Sequence, residues 1–234
     1  MILCLETATA VCSVALCDGS SVIASLESEA EKSHASKLTV FIEDLLKAAA
    51  INVHDLEAVA VSKGPGSFTG LRIGVSVAKG IAYAAGIPLI GVETTLSMFH
   101  GFISQSGNKS NIRETDFICP ALDARRMEVY YSLFDTKGNI VKSISAEIMD
   151  KNSFCDLPSS SRIILFGDGA DKCRDVIKRE NCVFIDDFRI SASFMQKPAY
   201  EAFTGKRFED VAYFEPFYLK DFLTSKPVKN ILGK

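Results

Sequence analysis

CLETATAVCSVALCDGSSVIASL, residues 4–26, has a counterpart later in the chain, ALDARRMEVYYSLFDTKGNIVKSI, residues 121–144. Each begins as an apolar strand ending in leucine and an acid, Leu5-Glu6 and Leu122-Asp123. Each then turns, runs through a second strand with an aspartate near its end, turns at a glycine and enters a third strand. Identity between the two is weak, but the order is the same. The elements after each meander are also alike. After the first come a helical pattern in KLTVFIEDLLKAAA (37–50), a buried strand in LEAVAVS (56–62), a loop and helix within 61–88, and the strand IPLIGVE (87–93). After the second come RIILFGDGA (162–170), a strand ending in a glycine turn, then a helix near 171–179, the strand CVFID (182–186) and a helix near 192–204. This order predicts an α/β chain of two lobes with like topology, residues 1–105 and 106–234, joined near the polar stretch 104–115.

Composition narrows the function classes. The chain has 234 residues, a net charge of −3 and 47% apolar residues, so it can bury a real core but is not built mainly to grip nucleic acid. Seven cysteines, odd in number and without a C-x-x-C pair, suit a reduced cytoplasmic chain. Glu6 interrupts the apolar start without a preceding basic region, so no signal peptide is expected. No apolar run is long enough to cross a bilayer.

The stretch VSKGPGSFTGLRIGVSVAKGIAYAAGIP (61–88) raises the chemical question. Its glycines, Gly64, Gly66 and Gly70, miss the G-x-G-x-x-G spacing of a dinucleotide loop by one residue. Leu71-Arg72 replaces the Lys-Ser/Thr of a P-loop, and Gly66 directly precedes Ser67, unlike the G-x-S-x-G elbow. Three readings remain for Gly64, Pro65, Gly66, Ser67, Phe68, Thr69, Gly70 and Arg72. The first is a rigid turn, capped by Ser67 or Thr69, that aims a helix. The second is an anion or nucleotide contact at the helix N-terminus with Arg72 nearby. The third is a nucleophilic Ser67. The helix itself is apolar nearly all round: Ile73, Val77 and Ile81 share one face, Gly74, Ala78 and Ala82 the next, and Lys79 is the only charge from 73 to 85. Such a helix is either central to the fold or has a second face that meets another protein.

Other candidates are sparse. Glu6 and Asp123 end corresponding strands and could share a cleft with a hydrated magnesium ion, or simply be solvated. Gly167 and Gly169 in FGDGAD (166–171) would let a ligand such as an adenine ring pass close. His34, His54 and His100 are not spaced as a helical metal pair, and His34 is expected at the surface or as a cap. The C-terminal SKPVKNILGK reads as a frayed tail, with partner docking as the other option.

KGPGSFTGLRIGVSVAKGIAYAAGIPLIGVETT (63–95), LETAT (5–9), HASKLTVFIEDLL (34–46) and ALDARRMEVYYSLF (121–134) resemble the matching segments of the TsaB (YeaZ) family. The resemblance covers most of residues 1–135. It implies the actin-like ATPase (ribonuclease H-like) fold and a place in making threonylcarbamoyladenosine beside the tRNA anticodon. It also implies pairing with a catalytic paralogue, TsaD, which carries the H-x-x-x-H metal motif, and with an ATPase, TsaE. Here that motif is replaced by GVETTLSMFHG (91–101) with the solitary His100, so the resemblance implies an inactive partner with no catalytic residue, no metal and no cofactor of its own. ATP or ADP with magnesium is then expected at the junction of the complex, and tRNA contact mainly through the complex. Two N-lobe helices make the family's dimers. The resemblance therefore puts Leu38, Phe41, Ile42, Leu45, Gly74, Val77, Ala78, Ile81 and Ala82 at the partner interface, and at a homodimer interface when the chain is alone. LETAT departs from the usual Leu-Asp-Thr-Ser. A free-standing nucleotide-binding ATPase or phosphotransferase, resting on Glu6, Asp123 and FGDGA, is the competing expectation.

Overall fold

The computed structural model describes residues 1–19, 21–29, 34–105 and 111–219. It contains two five-stranded mixed sheets. The first has the order β3-β2-β1-β4-β5, from β1 (Ile2–Glu6), β2 (Val11–Cys17), β3 (Val22–Glu29), β4 (Ala58–Gly64) and β5 (Leu89–Glu93). The second has the order β8-β7-β6-β9-β10, from β6 (Phe117–Asp123), β7 (Glu128–Asp135), β8 (Ile140–Ile148), β9 (Ile163–Phe166) and β10 (Cys182–Ile185). In each, the first strand is flanked by an antiparallel meander on one side and two parallel strands on the other. One topology is used twice. This is the duplicated plan of the actin-like, ribonuclease H-like fold.

Alternation along β1 assigns its two faces. Leu3 and Leu5 join Val59 and Val61 of β4 beneath two helices, α1 (His34–Ala48) and α2 (Phe68–Ala85). Ile2 and Cys4 point the other way, toward Ala192, Met195, Ala199 and Ala202. Those four belong to a 3-10 turn (Ala192–Met195) and to helix α4 (Gln196–Thr204), which lie beyond the second sheet in sequence. The lobe boundaries 1–105 and 106–234 therefore need correction. The chain leaves the second lobe after β10 and returns to roof the first, because β1 is buried on both faces and needs an apolar cover on each.

The return continues past α4. The Glu209 N–H donates to Leu89 O at 2.8 Å and the Phe217 N–H to Lys63 O at 2.6 Å, tying residues 209–217 to β5 and β4. Phe214, 9% exposed, enters the first core, and the Lys79 ammonium on α2 donates to Ala212 O (3.1 Å) and Phe214 O (2.9 Å). Between the lobes lies α3 (Thr94–Ser104), with seven of its eleven residues buried. Phe102 stacks on Phe166 of β9 at 4.5 Å, and the Thr95 and Ser132 hydroxyls are 2.9 Å apart.

The helix expected near 171–179 is only a 3-10 turn, Asp171–Cys173. Of that charged segment, Cys173 and Ile177 are buried in the second core and Val176 is partly so, too narrow an apolar stripe to hold several helical turns. The tail with Lys226, Val228, Lys229, Ile231, Leu232 and Lys234 lies outside the described residues. Among the described residues, no helix is long and apolar enough to cross a membrane.

Candidate functional site

The signature loop joins β4 to α2 through a cis Gly64–Pro65 peptide. Its glycines answer to other parts of the chain. Gly64 has φ +117°, and a Cβ there would lie 2.6 Å from Phe217 O. Side chains at Gly66, Gly70 and Gly74 would collide with Ala8 O, Thr7 O and Thr7 Oγ1 in turn. The loop and the first turns of α2 are thus clamped on one side by the β1–β2 turn and on the other by the C-terminal strap.

Ser67 and Arg72 of the loop are engaged as well. The Ser67 N–H donates to Ala8 O at 2.6 Å, and Ser67 Oγ accepts from the Gly70 N–H at 3.2 Å as the N-cap. Arg72 Nε donates to Tyr218 Oη at 3.1 Å, and its guanidinium lies 4.0 Å over the Phe68 ring, which packs 5.0 Å from Tyr218. Of the three readings, the rigid turn agrees with this geometry. The anion contact fits less well: Arg72 is engaged by Tyr218 and Phe68, and the Gly70 N–H is already taken by Ser67 Oγ. Ser67 is a cap with no described base beside it.

Glu6 is fully buried at the end of β1. Its carboxylate accepts the Ala8 N–H at 2.7 Å and the Ser62 hydroxyl. Burial raises its pKa from 4.5 to about 7, although these hydrogen bonds and one from the Thr7 backbone pull the other way. Asp123 is exposed and paired with Lys172. The two acids share no described partner, and Glu6 faces no open cleft. Among the described residues, no group of three or more His, Cys, Asp or Glu could hold a metal ion. The described contacts thus do not bring Glu6 and Asp123 together, Glu6 being engaged by Ser62 and Ala8 and Asp123 by Lys172.

Gly167 and Gly169 also have protein reasons. Gly167 has φ +102°, and a Cβ there would meet Ala121 O and Met98 Cε, while one at Gly169 would lie 2.6 Å from the Leu122 carbonyl carbon. They let this turn pack against β6 rather than admit a ligand. An interlobe cavity beside them, lined by residues including Thr9, Met98, Asp168, Phe188 and Arg189, measures about 170 Å³. Ligand pockets usually span roughly 300–1,000 Å³. Burial raises the pKa of Asp168, and the charge of Asp123 adds to it. His100 rests edge-on against Phe99, and desolvation lowers its pKa from 6.5 to about 4, with Lys197 acting in the same direction.

The helix pair needs a correction in phase. Leu38, Ile42 and Leu45 of α1 and Gly74, Ala78 and Ala82 of α2 are buried in the lobe itself, so they cannot line an interface. Phe41, Val77 and Ile81 remain half-buried. The outward ridge of α2 is Ser76, Gly80 and Ala84, with Ile73, Val77 and Ile81 beside it and Tyr83 83% exposed. A Cβ at Gly80 would meet nothing within 4 Å. Lys79 points to the strap, so the ridge carries no charge from Ser76 to Ala84, and the exposed Arg72 lies one turn before it. Val40 on α1 adds a 49% exposed side chain.

Sequence reasoning missed the strap. Its signal was the aromatic run Tyr213, Phe214, Phe217 and Tyr218 around Pro216, in a segment with no helical or strand period. The seven cysteines are all free thiols.

Comparison with known proteins gives concordant matches. The family model described as "TsaD: tRNA N6-adenosine threonylcarbamoyltransferase" matches residues 22–178. The "tRNA threonylcarbamoyladenosine biosynthesis protein TsaB" of Escherichia coli is 36% identical over 138 residues, 59% of this chain. That match spans only 56% of the E. coli protein, little more than half its length. The protein of the same name from Buchnera aphidicola subsp. Schizaphis graminum is 31% identical over 194 residues, 81% of this chain and 87% of that one. The solved structure "YeaZ from Pseudomonas aeruginosa" superposes with a TM-score of 0.80 over 93% of this chain and 99% of that one, at 23% identity.

Proposed function

The chain belongs to the TsaB family, and from that premise we propose that it is the non-catalytic partner subunit of the complex that transfers a threonylcarbamoyl group to adenosine in tRNA. Its task is to bind and activate the TsaD-type paralogue, with a TsaE-type ATPase as a further partner. Chemistry resides in the paralogue, and any ATP or ADP with magnesium belongs to the junction of the complex. Without its partner, the chain closes the same face on a second copy.

The observation that carries this reading is the outward ridge of α2, uncharged from Ser76 to Ala84. Ser76, Gly80 and Ala84 are small enough for a partner helix to approach closely, and Ile73, Val77 and Ile81 supply apolar surface beside them. Tyr83 adds an aromatic anchor of the kind that dominates interfaces. The signature loop fits this task, since the clamps on both sides of it fix the angle of α2. An active role for Glu6 fits poorly, because its carboxylate is enclosed and engaged with Ser62 and Ala8.

The test is Gly80→Glu. Open space at Gly80 lets the variant fold, and a charge in the centre of the ridge abolishes the complex with the paralogue on a sizing column. An intact complex sinks the proposal. In the cell, mass spectrometry of tRNA nucleosides after depletion of the chain reads the pathway: threonylcarbamoyladenosine is lost, and is restored by the intact gene but not by the variant.

A further inference from the structure

The connection 124–127 between β6 and β7 breaks a local rule. Arg125 and Arg126 both have left-handed backbone, with φ +68° and +52°. Glycine and asparagine enter that region readily, and a long side chain does not. Two arginines in succession are therefore a strained choice. Backbone bonds close the turn, with the Glu128 N–H donating to Arg125 O at 3.3 Å, but no side-chain hydrogen bond or ion pair explains arginine at either position. Both side chains are exposed, and among the described residues neither guanidinium has a hydrogen-bond or ion-pair partner. The nearest acid in sequence, Asp123, is already engaged by the Lys172 ammonium and by the Arg125 N–H at 2.8 Å.

The base of the hairpin is held firmly. The Ala124 N–H donates to Glu128 O at 3.1 Å, the Asp123 N–H to Asp168 Oδ1 at 3.1 Å, and Lys172 Nζ to Glu128 O at 2.6 Å. A rigid frame thus projects two unpaired guanidinium groups. A local preference broken at two successive residues, both with exposed and unpaired charges, is ground for a hypothesis of function.

We propose that Arg125 and Arg126 form a phosphate-binding tip that takes the backbone of the tRNA substrate. The guanidinium fork matches a phosphate with two parallel hydrogen bonds and keeps its charge at every working pH. This rests on the function proposed above, because RNA is the polyanion that reading supplies. A free nucleotide presents the same phosphate chemistry. The geometry favours RNA: the two arginines point to solvent, and neither lines the interlobe cavity of about 170 Å³.

The test uses two double variants, measured with the chain alone and with its catalytic paralogue. R125N/R126G gives the backbone the residues it prefers; R125Q/R126Q removes both charges and leaves the strain. The probes are an unmodified tRNA transcript and, separately, magnesium-ATP. In R125N/R126G the melting temperature rises by a few degrees while tRNA affinity falls about tenfold. The slope of log affinity against log salt becomes shallower by about 1 to 2, as expected for two lost phosphate contacts. R125Q/R126Q loses the same affinity without the gain in melting temperature. Magnesium-ATP binding and complex formation do not change. Unaltered tRNA affinity and salt slope in both variants overturn the proposal. Loss of magnesium-ATP binding with tRNA retained also overturns it, moving the phosphate to a nucleotide. If the wild-type complex assembles but binds no tRNA, this inference falls and the partner role stands. If the chain never joins the paralogue, the partner role falls, and tRNA binding by the chain alone still decides the tip.

Discussion

Glu6→Gln keeps the shape of a buried side chain and removes its titration. In the folded chain the Glu6 pKa is raised from 4.5 to about 7 by burial. The native state therefore holds a proton that the unfolded chain releases between those values, and stability falls as pH rises through that window. Each pH unit between them is worth about 1.4 kcal/mol, so the full fall is about 3 kcal/mol. It is absent below 4.5 and complete above about 7. His100 works against it: its pKa is lowered to about 4, so it loses stability as pH falls from 6.5. That opposing contribution is smaller, because the ring keeps part of its surface in water. In the wild type the two slopes partly cancel, and a single pH profile would hide both. The difference between wild type and Glu6→Gln removes His100 from both sides. The chain has no tryptophan, so urea unfolding is monitored by circular dichroism, at about pH 5 and about pH 8. The stability of the wild type relative to the variant drops by about 3 kcal/mol between those conditions. A difference that stays constant across that range refutes the buried, proton-holding Glu6.

Gly74→Ala and Gly80→Ala make opposite changes about one and two-thirds turns apart on α2. The first drives a methyl into Thr7 Oγ1 and lowers stability by about 1–3 kcal/mol. The second meets open space and raises stability by about 0.5–1 kcal/mol, both read from thermal melts. Phe214→Ala removes the strap's anchor from the first core and costs about 3–5 kcal/mol in urea unfolding. Arg72→Ala loses the hydrogen bond to Tyr218 and the stack on Phe68, so limited proteolysis cuts near the end of the strap faster while the lobes stay intact. Unchanged cleavage there means Arg72 does not hold the strap.

The paired meanders were legible because strand order survives in the pattern of apolar runs, even where identity does not. The two-lobed fold could be read from Leu5-Glu6 and Leu122-Asp123 ending equivalent strands. The phase of α2 was not legible. Ala78 and Gly80 are both small, and hydropathy cannot tell the one pressed on the sheet from the one facing solvent. Nor could the sequence show that the charge of Lys79 is satisfied by the carbonyls of Ala212 and Phe214, far away in the chain. The signature glycines were recognised as special, but their reasons lie at Thr7, Ala8 and Phe217, which no local spacing rule connects to them. The left-handed pair at Arg125-Arg126 was invisible for a similar cause: arginine gives no turn signal of its own.

The return of the chain to its first lobe has a consequence for synthesis. The face of β1 bearing Ile2 and Cys4 leaves the ribosome early, yet its cover at Ala192–Ala202 and the anchor Phe214 follow only after the whole second sheet has been made. At about 5–20 residues per second, the first sheet waits roughly 6 to 24 seconds for its own roof. A product cut short before that point displays a bare apolar sheet and lacks the clamp that aims α2. Only a chain translated past Phe214 closes the first sheet on both faces and fixes the angle of α2.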